Sequence, residues 1–242
     1  MRVGVYCSSI RPHLWVSLYE SLSLNSVDFN ICIVGPSAPM ESLPGNVRYI
    51  QSNVKPAQCY FIASQNVEGD YIINIPDDVT FSPGSLDDLV KMIDGKMDIA
   101  SAQYTRVSRS SHWEFRDKRI ARIKKKITFI ALKFPIPVCS MMRREAFNSI
   151  GIDKHYISMN WDIDIALELI SRGGNIMLSD KSTVIDIKTA GSSKVGGDYA
   201  YLTDIWFDVD KIRNKRKVPI DPLVYNDDVL TISQGRKGKK WK

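Results

Sequence analysis

Two adjacent carboxylates, Asp77 and Asp78, follow the largely apolar stretch Gly69–Ile75 across a single residue, Pro76. Acids side by side at the end of a buried strand repel each other unless something offsets their charge. A hard divalent cation does so, using one or two carboxylates together with phosphate oxygens and water. The simpler alternative is that the pair caps the turn after the strand. A third acid, Asp162, opens a helical stretch, where the helix dipole favours the ionised form that a general base needs. Taken alone, Asp162 is equally an ordinary acid in a first helical turn. Ser8, Ser9 and Arg11 follow the first strand and Gly35 ends the second, so they stand where a base or phosphate would be met. The serines could also be plain turn formers and Arg11 a surface charge.

These residues have to be held in place by the elements around them. Arg2–Cys7, Phe29–Val34, Val47–Gln51, Gly69–Ile75 and Ile99–Tyr104 read as strands, and His13–Leu24, Ala57–Val67 and Ser85–Ile93 as the helices between them. This alternation predicts an α/β fold with a mostly parallel central sheet flanked by helices. Open sheets of this kind bind ligands beyond the carboxyl ends of their strands, which is where Ser8–Pro12 and Asp77-Asp78 fall. Neither GxGxxG nor GxxxxGK[ST] is present, which sets aside standard dinucleotide sites and P-loops. In the second half, Trp113–Phe134 reads as a helix with an isoleucine stripe opposite a Lys/Arg face. Val138–Arg143 reads as a strand, and Glu145–Ile150 and Asp162–Ser171 as helices closed by glycines. Ile176–Leu178 and Thr183–Ile187 read as two short strands.

The 242 residues suffice for one substantial domain, and 44% apolar with 25% charged residues is ordinary for a soluble protein. No apolar run approaches the ~20 residues of a membrane span. The N-terminus reads as a first strand rather than a signal peptide. Cys7, Cys32, Cys59 and Cys139 lie far apart with no metal-ligand spacing, so free thiols in a reducing compartment, by default the cytosol, are expected. The net charge of +6 is uneven. Residues 106–126 carry nine Lys/Arg against Glu114 and Asp117, and residues 205–242 carry ten against five acids. Two basic patches on an acidic body point to an anionic partner.

The segment GDYIINIPDDVTFSPGSLDDLV (Gly69–Val90) resembles the central segment of GT-A glycosyltransferases, particularly the inverting family 2 group. Three further stretches resemble that family in the same order. They are Ser8-Ser9-Ile10-Arg11-Pro12 with Leu14, Leu18 and Leu22, then Val138–Ile150 with Gly151, then Asn160–Gly173. The resemblance covers most of residues 1–190. It implies one GT-A-like catalytic domain over 1–217, with a nucleotide-binding half (1–104) and an acceptor half (105–217), followed by an extended basic tail (218–242). Three departures stand out: Pro76 takes the first position of the acidic motif, Trp161 replaces the glutamate before Asp162, and no histidine precedes Ala190-Gly191-Ser192-Ser193.

The resemblance implies a nucleotide-sugar donor, an acceptor hydroxyl, and Mn²⁺ or Mg²⁺ held by Asp78 and Asp77, with Asp186 standing in for the missing histidine. Asp162 would be the base, and Trp161 and Asp164 would meet the acceptor. Ser8, Ser9, Arg11, Gly35, Lys55, Gln58 and Asp77 would contact the nucleotide. The acceptor is expected to be a glycan, free or lipid-linked, the latter at a membrane periphery. A modified nucleic-acid base is the alternative that the basic patches keep open. Two other readings are a nucleotidyltransferase, which would ordinarily open with a glycine-rich loop, and an inactive relative that only binds sugar nucleotides or nucleic acid.

Overall fold

The computed structural model describes residues 1–106, 139–157, 161–187, 208, 211–212 and 214–216. The expected helix over 113–134 and the tail 218–242 lie outside them. Eight strands form one sheet in the order β3-β2-β1-β4-β7-β6-β8-β5. They are β1 (Arg2–Ser8), β2 (Asp28–Gly35), β3 (Val47–Gln51), β4 (Tyr71–Pro76), β5 (Val79–Phe81), β6 (Ile99–Arg106), β7 (Ser140–Arg143) and β8 (Ile176–Asp186).

The first four strands run parallel to one another, β2 with β3, β1 with β2 and β1 with β4. Their residues explain why. β1 and β4 are each buried along five consecutive positions, the near-continuous apolar pattern of strands covered on both faces. Three helices accompany these strands: α1 (Trp15–Leu22), which meets β5, α2 (Pro56–Asn66), which packs on β1 and β2, and α3 (Ser85–Asp94), which packs on β6, β7 and β8. α1 is entered through a short 3₁₀ turn at Pro12–Leu14, and α2 has its proline in the first turn, where the missing N–H costs nothing. α3 starts after Gly84, whose φ of 75° is left-handed and suits glycine. Asn25 Oδ1 accepts the Leu86 N–H, and Asp87 accepts those of Ser26 and Val27, so the α1–β2 turn and the start of α3 fix each other.

The second half of the sheet is mixed. β7 runs antiparallel to both β4 and β6, β8 runs parallel to β6, and β5 antiparallel to β8. Two details differ from the sequence expectation. Val79–Phe81 forms a strand that is too short to show a period. Ile176–Asp186 is one strand, not two, because its pairing with β6 jumps from Ser101↔Leu178 to Gln103↔Thr183 and continues in register beyond the irregularity. This half also carries the helices α4 (Arg144–Ile150) and α5 (Trp161–Ser171).

Candidate active site

Ser8, the last residue of β1, pairs with Val34 on one side and Pro76 on the other, so the ends of β1, β2 and β4 form one rim. The loop after β1 turns tightly against it, with the Ser9 N–H donating to the Val34 carbonyl at 2.9 Å. Gly35 is required by this turn: a Cβ there would lie 1.7 Å from the Ser9 carbonyl oxygen. The Gly35 carbonyl in turn accepts the Ser52 N–H and the Tyr49 hydroxyl.

Asp77 is the centre of this rim and is 1% exposed. Its Oδ2 accepts the Ser9 hydroxyl at 2.7 Å and the backbone N–H groups of Ile10 and Arg11, both at 3.1 Å. Its Oδ1 accepts Arg11 Nε at 3.0 Å and Nη2 at 2.5 Å. The same Nη2 lies 3.1 Å from Asp78 Oδ2. Ser9 Oγ is fixed by a third element, accepting the Trp15 indole N–H at 2.6 Å. Within the described structure, then, the compensating charge for the paired carboxylates includes the Arg11 guanidinium. Burial pushes the neighbouring Cys7 thiol well up, and the charges of Asp77 and Asp78 push it further.

Asp186 comes to the same end of the sheet. It pairs with Val79 across β5–β8, and the Ile187 N–H donates to the Asp78 carbonyl at 2.9 Å. Among the described residues, however, no group of three or more His, Cys, Asp or Glu side chains is arranged to hold a metal. Asp77 receives five hydrogen bonds, which leaves it little capacity for a cation. Asp78 and Asp186, both buried at this end of the sheet, are carboxylates of the kind that a hard divalent cation takes together with phosphate oxygens and water.

Across the rim, α5 begins at Trp161 and Asp162. Asp162 Oδ1 accepts the Ile163 N–H at 2.9 Å, and the residue lines a narrow cleft with Tyr6, Asn74, Ser140 and Trp161. Trp161 is 5% exposed and packs on Tyr60 with ring centres 4.8 Å apart and on Tyr6 at 5.9 Å. The Tyr60 hydroxyl donates to the Ile75 carbonyl at 3.0 Å, two residues before Asp77. One aromatic contact and one hydrogen bond therefore connect the start of α5 to the acidic end of β4. Burial, with Asp162 as the next contribution, raises the Tyr6 phenol well above its ordinary value, so it stays neutral beside the proposed base.

The remaining expected residues fall in different surroundings. Gln58 caps α2, its Oε1 accepting the Lys55 N–H at 3.2 Å, so both stand at that helix start. The Ala57 N–H of the same turn donates to the Ile157 carbonyl. Asp164, expected at the acceptor, is buried and held by Lys215 Nζ and Arg216 Nε, each at 2.5 Å. Arg216 also pairs with Glu168, and Lys211 with Asp153. Part of the carboxy-terminal basic patch is thus turned onto the body of the chain. Sequence reading missed this pairing, along with Tyr6, Tyr60, Asn74 and Ser140, because none of these residues lies in a motif with diagnostic spacing. Asn74 and Ser140 are tied together by the Ser140 N–H to Asn74 Oδ1 bond at 3.0 Å.

The sheet order and the carboxylates at the end of β4 define a GT-A-like fold. The family described as glycosyl transferase family 2 matches residues 37–151. No curated protein matches the chain in sequence. Among solved structures, S. aureus TarS residues 1–349 is 13% identical, with 99% of this chain and 73% of that one covered at a TM-score of 0.58. The same fragment in complex with UDP-GlcNAc gives 15%, 99%, 73% and 0.60. A longer TarS chain is 14% identical at a TM-score of 0.59, and this chain, matched in full, spans only 44% of it. The chain thus has a GT-A-like fold, and its residues 37–151 are similar to family 2 glycosyl transferases.

Proposed function

We propose that this chain transfers a sugar from a nucleoside-diphosphate donor to an acceptor hydroxyl with inversion, using Asp162 as the base. The observation that supports this most is the pairing of an acidic, arginine-bearing rim at the ends of β1 and β4 with an acid at the start of α5, joined through Tyr60 and Trp161. The loop Ser8–Arg11 and Gly35 would receive the nucleotide, with Lys55 and Gln58 at its edge. Asp162 would take the proton from the acceptor hydroxyl as its oxygen bonds to the anomeric carbon. The bond from that carbon to the phosphate oxygen breaks on the opposite face, and the nucleoside diphosphate leaves with the electron pair. Asp78 and Asp186 would hold Mn²⁺ or Mg²⁺, which when bound supplies positive charge to the departing diphosphate. Trp161 is buried, so its part would be to seat Asp162 rather than to offer an open stacking face.

The solved TarS fragment has been obtained with UDP and with UDP-GlcNAc, which makes UDP-sugars the first donors to test. We take a glycan as the acceptor. The intramolecular ion pairs of Lys211, Lys215 and Arg216 reduce the cationic surface available to nucleic acid or lipid headgroups. No described helix is long and apolar enough to cross a membrane. We place the enzyme in the cytoplasm. Incubation with UDP-GlcNAc and glycan acceptors, followed by release of UDP and the anomeric configuration of the product, tests the reading. Retention of configuration, or no release with any nucleotide sugar, would count against it.

A further inference from the structure

We infer that Arg11 is a built-in counter-ion that keeps Asp78 from binding a divalent cation until a nucleoside diphosphate draws the guanidinium away. The inference rests on the donor reading above for the identity of the diphosphate. Arg11 Nη2 lies 2.5 Å from Asp77 Oδ1 and 3.1 Å from Asp78 Oδ2, so one cationic group already spans both carboxylates. A second cation approaching Asp78 would meet that charge at close range in a buried setting, where repulsion is weakly screened.

Among the described residues, Asp77 does not depend on the Arg11 guanidinium alone. Asp77 is held by the Ser9 hydroxyl and two backbone N–H groups as well as by the guanidinium, so it stays in place when Arg11 shifts. The loop itself is fixed through Trp15 to Ser9 Oγ and through Ser9 N–H to Val34, so the backbone of Arg11 need not move. Only the side chain has to turn, and Arg prefers bidentate contact with phosphate at least as well as with carboxylate. Diphosphate binding would therefore draw this positive charge away from Asp78 and favour cation entry beside the phosphate oxygens. By linkage, the cation then tightens nucleotide binding by the same factor.

The test measures Mn²⁺ alone, without nucleotide, by electron paramagnetic resonance titration of the full chain. Arg11→Gln is expected to bind Mn²⁺ about tenfold or more tightly than wild type, from removal of one nearby positive charge. Arg11→Lys, which keeps the charge, is expected to stay within a fewfold of wild type. Equal affinity of wild type and Arg11→Gln for Mn²⁺ alone would overturn the inference. Should Arg11→Gln fail to fold, the wild-type Arg11 side-chain ¹⁵Nε resonance serves instead. It is expected to shift when UDP is added in the presence of EDTA, and bound UDP with an unmoved resonance would overturn the inference. Gain of Mn²⁺ affinity in Arg11→Gln without UDP binding to either protein would leave the counter-ion role standing and remove the donor reading.

Discussion

Asp162 and Gly35 show how much depends on single residues. Replacing Asp162 by Asn keeps its size and its hydrogen bond to the Ile163 N–H but removes the proton acceptor. Turnover is expected to fall by about 10²–10⁴-fold, the usual contribution of a general base, with UDP affinity unchanged. Turnover within threefold of wild type would show that the base is elsewhere. Gly35→Ala meets backbone, not a movable side chain, because the added Cβ would sit 1.7 Å from the Ser9 carbonyl oxygen. Urea denaturation should show a loss of about 3 kcal/mol or more, at or above the usual cost of overpacking. The paired carboxylates and the loop after β1 were legible as residues. Their connection was not, because Arg11 could be read as a nucleotide contact or a surface charge until its distance to Asp77 was known.

At the scale of elements, α5 is held by charge as well as by packing. Arg216 and Lys215 grip Asp164, and Arg216 and Arg172 grip Glu168. The Arg216 bond first, then that of Arg172, holds the Glu168 carboxyl below its ordinary range. Burial pushes the Asp153 carboxyl up, but bonds from His155 and Lys211 outweigh it and bring it well below that range. Depressed carboxyl values contribute stability above about pH 4.3, the unfolded value of a glutamate, and lose it as pH falls through the folded values. The melting temperature should therefore drop between about pH 5 and pH 3, and less steeply in Glu168→Gln; identical slopes would contradict this. Arg216→Ala leaves Asp164 buried with Lys215 as its remaining ion-pair partner among the described residues. A loss of about 3 kcal/mol is expected in a urea titration, the lower end for breaking a buried pair. The helices and parallel strands of the first half were readable from period and turn residues. The antiparallel run of β7, the three-residue β5 and the continuity of β8 were not, because each depends on pairing between distant residues and not on local pattern.

Over the whole molecule, the sheet brings residues from opposite ends of the chain to one rim: Ser9 and Arg11 from the first loop, Asp77 and Asp78 from the middle, and Asp186 from the last described strand. The central place of β1 and β4 in the sheet agrees with their burial along five consecutive positions, which their apolar sequences announce. The uneven charge of the chain was also visible in sequence, but not its direction. Three of the cations counted in the carboxy-terminal patch face Asp153, Asp164 and Glu168 of the same molecule.

Whether this rim receives a nucleoside diphosphate is read out by a thermal-shift titration. UDP, GDP, dTDP and CDP would each be added at a hundredfold excess over the dissociation constant, with and without Mn²⁺, to wild type and Asp78→Asn. One nucleotide should raise the melting temperature of wild type by about 5–10 °C in the presence of Mn²⁺, corresponding to about 2.7 kcal/mol of stabilisation. Asp78→Asn should lose the metal-dependent part of that rise. No shift with any nucleotide, or an equal metal-dependent shift in Asp78→Asn, would contradict the account.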